Sequence, residues 1–404
     1  MNITKYISVF FLFLSFISSC KEKIKEEKVP KEIMYEWQPQ ISAPDNYPAA
    51  YVNVGLSYEG GGSAGASSVF TAISPSWGSP HGSFVSGKSL KPIPVKVSAH
   101  WMSVPEAVFY EGEFDLPKDS IQQVFEKKEF NPRFGDYDRA NRIMVGVAPG
   151  GIITVWVNGL RDQVEVGRFQ AHKTDYKPDR LEEKGYTMQK LANELLSNEE
   201  EAFIKKFGIP FEAWKTRPKE YEYQIDILHP KHYPIASGGT WSRSIDGRSI
   251  ASRSSYGKYD NWGEVIGKKN KRPKKRPLPM TLNTIWYSAA EDIIYESLNN
   301  VLPTKQLEAL FSNTYEHPEK PGEMVNFNKI VVGMAPGGIF VVWVDGPGKQ
   351  LEIARFKAKK SKENLRSFID SRYNKELSTE AFRKKILTED QAYIQQHGIP
   401  YGSW

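Results

Sequence analysis

The chain has 404 residues, 40% of them hydrophobic and 13% aromatic, enough to fill one large core or two medium ones. Lys+Arg number 54 against Asp+Glu 48, and the resulting net charge of +6 is too mild to argue for a nucleic-acid partner. The single cysteine, Cys20, excludes an intramolecular disulfide and any multi-thiolate metal cluster.

That cysteine is explained by what precedes it. Lys5 supplies positive charge, Ile7 to Ile17 is almost unbroken apolar sequence, and Ser18-Ser19 lead into Cys20. The apolar run is short of the ~20 residues a spanning helix needs. The layout is that of a secretory signal, residues 1–19, whose removal leaves Cys20 first and lipid-modified. Ile17-Ser18-Ser19-Cys20 resembles a bacterial lipobox, with Ile at its first position where Leu is more usual. Acyl chains, palmitate among them, each contribute about 0.8 kcal/mol per buried methylene and hold a protein on a membrane. Residues 20–34 then read as a charged, solvated tether in which Lys and Glu alternate. No aspartate follows Cys20, so the expected address is the outer membrane of a bacterial cell envelope.

The remainder reads as one unit written twice, residues 35–219 and 220–404. VGVAPGGIITVWVNG begins at Val145 and VGMAPGGIFVVWVDG, 187 positions on, at Val332. Pro149 and Pro336 fix φ near −65° for a tight turn, and the glycines after them supply the positive φ of type II. The Val-, Ile-, Phe- and Trp-rich flanks suit strands. Trp77 and Trp101 are 24 positions apart, as are Trp262 and Trp286. Tyr35-Glu36-Trp37 recurs as Tyr221-Glu222-Tyr223, and Gly208-Ile209-Pro210 with Trp214 recurs as Gly398-Ile399-Pro400 with Trp404. Domain-sized repeats of this kind argue for tandem duplication and against a solenoid.

Within each copy, a helix follows Pro117 or Pro303, with Ile121, Val124 and Phe125, or Leu307, Leu310 and Phe311, on one apolar face. A third strand follows the hairpin, at Val164 to Ala171 and Leu351 to Ala358. A closing helix carries the pattern Asn198 with Glu201, or Thr388 with Gln391, of a capping box. The expected class is α+β: two tandem duplicated domains, each a mainly antiparallel sheet with helices packed on one face. Both faces of the hairpin are apolar, which predicts a central position covered by helices on one side and by the sister domain on the other. Glu59 to Gly87 and Thr240 to Arg276 are poor in apolar residues and read as surface loops.

These elements, above all VG-x-APGG-x-x-x-VW-x-(Asn/Asp)-Gly, resemble the bacterial lipoprotein family catalogued as domain of unknown function 2931. The resemblance spans nearly the whole mature chain, once per copy, and departs from the single unit expected of such a protein. It carries no established activity to transfer to residues. Some relatives look like immunity lipoproteins encoded beside secreted lipase toxins.

The chemical candidates are few. His229-Pro230-Lys231-His232 is the one close histidine pair, and its proline prevents a helical i, i+3 ligand pair. Gly150-Gly151 precedes a strand and lacks the Lys-Ser/Thr of a phosphate loop. No Gly-x-Ser-x-Gly elbow is present. Glu36/Glu222, Glu106/Glu291, Glu111/Glu296 and Glu165/Glu352 occur in both copies, and a hydrolase would need two of them across a cleft. Arg168/Arg355, three residues after the last pair, favours structural ion pairs. Trp77 and Trp262 lie in the polar loops and are candidate exposed platforms for a partner or sugar. Lys268, Lys269, Lys271, Arg272, Lys274, Lys275 and Arg276 form a basic run in copy two alone, a candidate contact for anionic lipid or glycan. No cofactor, metal or nucleic acid is implied. The expected function is a non-catalytic envelope lipoprotein that binds a protein partner, in an immunity-type or interaction role. The alternative is glycan or polyanion binding, and an envelope hydrolase ranks last.

Overall fold

The computed structural model describes residues 33–68, 71–131, 135–159, 163–252, 273–373, 375–388 and 390–404. The duplication read from the sequence is visible strand by strand. In copy one, Gln163–Gln170, Ile152–Asn158, Arg142–Ala148 and Gln38–Ser42 form a four-stranded sheet in that order. Only its last neighbour, Gln38–Ser42 beside Arg142–Gly146, runs parallel. A six-stranded antiparallel sheet holds, in order, His172–Thr174, Val108–Asp115, Pro94–Ser103, Ala49–Tyr58, Ser63–Ser68 and Phe84–Ser86. Copy two repeats both as five-stranded sheets, one centred on Lys329–Ala335 and Ile339–Gly346, the other on Ile235–Ser244 and Pro279–Ser288. The α+β class and the predominance of antiparallel pairing hold, while the single sheet expected per copy is split into two.

The APGG hairpin lies between the layers that this split creates. In copy one, Ile143, Val145, Val147, Ile153, Val155 and Val157 point into a core shared with Trp37 and with Val54, Val97 and Trp101 of the larger sheet. Their neighbours Met144, Ala148, Ile152 and Trp156 face the other way, onto Trp77, Phe203 and Trp214. Both faces of the hairpin are therefore buried, as its composition demands. One face is covered by a second sheet, and the other by the helices Asn198–Phe207 and Phe211–Lys215, with Met280 of copy two at the margin. Further helices pack outside the larger sheet, where Leu181, Leu191 and Ala192 meet Met102 and Phe109. Each copy therefore carries helices on both outer sides of a two-sheet core.

The turns obey the sequence. Gly150 has φ 76°, ψ 8°, and Gly337 φ 75°, ψ 7°, the third position of a type II turn in each copy. The helices Lys118–Glu126 and Thr304–Ser312 start after Pro117 and Pro303 and bury Ile121 with Phe125, and Leu307 with Phe311. The closing helix of copy one is capped one residue earlier than expected: Ser197 accepts from Glu200 N, and Glu200 reaches back to Ser197 N. Thr388 does not start a helix but ends one, as C-cap of Thr379–Leu387. Among the described residues, no helix is long and apolar enough to cross a membrane.

Candidate functional site

The carboxylates shared by the copies hold the APGG turn and its flanks together. Glu106 accepts from Gly150 N at 2.8 Å and from Tyr110 Oη at 2.8 Å. Glu291 does the same with Gly337 N at 2.9 Å and Tyr295 Oη at 2.9 Å. Burial, and then the adjoining carboxylate, pushes each of these tyrosine hydroxyls well above its ordinary value. Glu165 receives two hydrogen bonds from Arg168, and Glu352 two from Arg355. Glu111 faces His172 at 3.3 Å, and Glu296 accepts from Ser361 Oγ. Each of these six glutamates has a structural partner in its own copy, which supports ion pairing and turn clamping over a catalytic pair.

The tryptophans cluster differently from the expectation. Trp77 is 2% exposed and packs edge-on against Trp156, 5.0 Å between ring centroids. It is no open platform. Beside it lie Tyr47 and Trp214, themselves 5.0 Å apart. The motif glycine Gly146 makes this possible, since a Cβ there would stand 2.6 Å from Trp156 and 2.8 Å from Trp77. The result is a tryptophan-walled cleft on the outer face of the small sheet.

What fills the cleft is the tip of a hairpin from copy two. The strands Ile235–Ser244 and Ser249–Ser252 are joined by Ile245-Asp246-Gly247-Arg248. Trp214 Nε1 donates to Asp246 O at 2.9 Å, and Trp77 N and Asp45 N donate to Gly247 O at 3.0 and 3.3 Å. Ser249 N donates to Ser76 Oγ at 2.7 Å, and Arg243 pairs with Asp45. Burial of Asp45 raises its carboxyl above the ordinary value despite Arg243. The tip is stiffened by Asp246, which is fully buried and accepts from Ser244 Oγ and Arg248. Arg248 also donates to Glu220 at 2.8 Å. Gly247 has φ 76°, and a Cβ on it would lie 2.8 Å from Pro44. Recognition therefore runs mainly through backbone carbonyls, with glycine required by the close approach.

Of the basic run, Lys274 and Lys275 are exposed on an edge strand, but Arg276 is not a free ligand contact. Its guanidinium lies over the Tyr223 ring at 4.5 Å, and burial lowers its pKa. Lys91 plays the same part in copy one, 3% exposed and 4.4 Å from the Trp37 ring centroid. His232 stacks on Tyr393 at 3.9 Å and bonds Asp390 at 2.9 Å, a structural arrangement confined to copy two. Cys20, Trp262, Lys268, Lys269, Lys271 and Arg272 lie outside the described residues. The tip Ile245–Arg248 was not singled out by sequence reasoning, although an Asp-Gly pair between alternating strands is a hairpin signal.

Both halves of the chain carry this fold, and both match one family model. Its description is protein of unknown function, DUF2931, and it covers residues 21–212 and 213–402. The chain belongs to that family. It holds two tandem DUF2931 units, so the contact just described is one unit of the family recognising another. Comparison with curated proteins returned no match, and neither did comparison with solved structures.

Proposed function

We propose that the protein is a lipid-anchored lipoprotein of the bacterial envelope that acts by capturing a protein partner, in an immunity-type or interaction role, without catalysis. The observation that supports this most is the docking of Ile245–Arg248 in the tryptophan-walled cleft of copy one. A DUF2931 unit can take a protein β-turn between aromatic walls and hold it by its main-chain carbonyls. Aromatic walls with a few fixed donors are the usual means by which a protein surface concentrates binding energy. Copy two presents the matching walls: Trp343, Tyr233 and Trp404, the last two 5.1 Å apart. Trp404 is partly exposed where its counterpart Trp214 is fully buried under the inserted tip. The anchor assigned to Cys20 would hold this second cleft at the membrane surface.

The test is a photo-crosslinking amino acid in place of Tyr401, which is 57% exposed and three residues from Trp404, with Phe211 of copy one as the control site. In cells, one discrete protein adduct at position 401 and none at 211 is the expected result. Equal, smeared labelling at both sites removes the support for a partner site in copy two. Fatty-acid labelling that is lost in Cys20→Ala tests the anchor separately.

A further inference from the structure

Copy one carries an exposed apolar surface where the chain leaves toward Cys20. Ile33 is 57% exposed, Met34 44%, Leu90 54%, Phe130 50% and Tyr137 61%. Met34 and Tyr137 border one cavity, and Leu90 and Phe130 stand on the strands paired beside them. Tyr35–Glu36 pairs with Leu90–Lys91, placing Leu90 opposite Glu36. Phe130 and Tyr137 lie in register on a two-stranded hairpin, 5.5 Å between ring centroids. Met34, Ser89 and Tyr137 line one open cavity of about 520 Å³ between those two strand pairs. Large apolar side chains gathered this way on a surface mark something that covers them.

Copy two has the same strands, but charged groups replace two of the apolar ones and the hairpin aromatic is less exposed. Glu220 stands where copy one has Met34, and Lys275 opposite Glu222 stands where copy one has Leu90 opposite Glu36. Tyr315, the counterpart of Phe130, is partly buried against Phe327 at 4.6 Å. The face is therefore a property of the copy next to the N-terminus and not of the fold.

We infer that this face of copy one, centred on Leu90, Phe130 and Tyr137, docks on a lipid bilayer. The inference rests on the anchor at Cys20. Twelve residues lie between Cys20 and Ile33, and the thirteen steps from one to the other reach about 45 Å at most when fully extended. An acylated Cys20 thus confines the face to the neighbourhood of the bilayer, where short tethering gives a high effective concentration. The tether is an unsuitable cover, because Lys21 to Lys31 is mostly Lys and Glu. Aromatic side chains with a polar edge, such as Tyr137, suit the headgroup region. The cations on the rim, Lys88, Arg139 and Arg142, are matched by Glu36, Asp136 and Asp138. The face therefore docks by its apolar groups and does not depend on anionic lipid. Docked this way, copy one lies against the membrane and sets the orientation of copy two.

The test uses the lipidated full chain, in which Cys20 is consumed by acylation and an introduced cysteine is unique. Leu90→Cys, Tyr137→Cys, Met324→Cys and Tyr401→Cys are labelled with a polarity-sensitive fluorophore and reconstituted in phosphatidylethanolamine–phosphatidylglycerol vesicles. Brominated acyl chains are expected to quench positions 90 and 137 at least about threefold more than 324 and 401, and 0.5 M salt is expected to leave that ratio unchanged. Equal, weak quenching at all four positions with acylated Cys20 overturns the docking face and leaves the anchor standing. Shielding of 90 and 137 that needs an added protein fraction, and not lipid, overturns it as well. If the mass of the chain shows no acyl group, the anchor reading fails. Cys20→Ser forms of the same four variants, added to the vesicles, then decide the face: quenching at 90 and 137 supports it and its absence overturns it.

Discussion

The turn around Gly61 in copy one and the turn around Gly247 in copy two close the same hairpin with the same bond, Tyr58 N to Gly62 O and Ser244 N to Arg248 O. Their surroundings are opposite. A Cβ on Gly61 would meet nothing within 4 Å, whereas one on Gly247 would meet Pro44 at 2.8 Å and Asp45 N at 3.0 Å. Copy one offers a cleft and an open tip. Copy two inserts its tip into that cleft and keeps its own aromatic walls at the other end. The contact is heterologous, with different surfaces on the two partners, and so the matching tip of copy one and the matching walls of copy two take no part in it. Duplication thus copied the core faithfully and gave the two surfaces different jobs.

The largest way to break this comparison is Gly247→Ala. Both glycines have positive φ, so alanine costs each about 1 kcal/mol in backbone strain. At Gly247 the added methyl also presses on the backbone of copy one, which adds about 2 kcal/mol. Gly61→Ala is expected to cost only the strain. Urea unfolding checks this: Gly247→Ala should lower the midpoint about three times as much as Gly61→Ala and separate the unfolding of the two copies. Equal shifts would mean that the inserted tip contributes no stability.

The second prediction concerns what the copies share. Glu106→Ala leaves Gly150 N and Tyr110 Oη without their acceptor, and Glu291→Ala does the same to Gly337 N and Tyr295 Oη. Losing a charged acceptor at a part-buried turn costs about 2 kcal/mol. The two variants are expected to agree within about 0.5 kcal/mol, because the geometry is the same in both. A glutamate whose removal hardly changed stability would not be a turn clamp, and its retention in both copies would need another cause.

How much of this was legible in the sequence follows from the range of the forces involved. The APGG turn was legible because proline and glycine fix its dihedrals locally. The apolar helix faces at Ile121/Phe125 and Leu307/Phe311 were legible from spacing alone. The division into two sheets was not, since apolar residues on both strand faces say that something covers them without saying what. Nor was the bulge that shifts the register between Val155 and Trp156, and again between Val342 and Trp343. The extra residue, Val166 or Ile353, lies on the neighbouring strand and nothing in its sequence announces it, whereas the tryptophans reach the outer face by ordinary strand alternation. Trp77 was misread as an open platform because its loop is polar. The cover comes from Gly247, 170 positions away in sequence, and such a contact leaves no local pattern. The cleft was thus half legible, its walls visible as recurring tryptophans and its occupant not.

The smallest expected effect separates the copies through one ion pair that both possess. Glu165 and Arg168 are 17% and 15% exposed, and Arg168 also donates to Trp214 O, which ties the pair to the helix closing the cleft. Glu352 and Arg355 are 41% exposed each. An exposed pair is worth at most about 0.5 kcal/mol and is screened by salt. Breaking a less solvated pair leaves a charge without its partner and costs about 1–2 kcal/mol more. Glu165→Gln is therefore expected to destabilise copy one by about 2 kcal/mol at any salt concentration, and Glu352→Gln to cost copy two little at 0.05 M salt and nothing measurable at 1 M. The measurement is a double-mutant cycle with Arg168→Met and Arg355→Met. Equal coupling energies in the two copies would mean that the helix seated on Trp214 adds nothing to the pair, and that burial of the cleft stops at its aromatic walls.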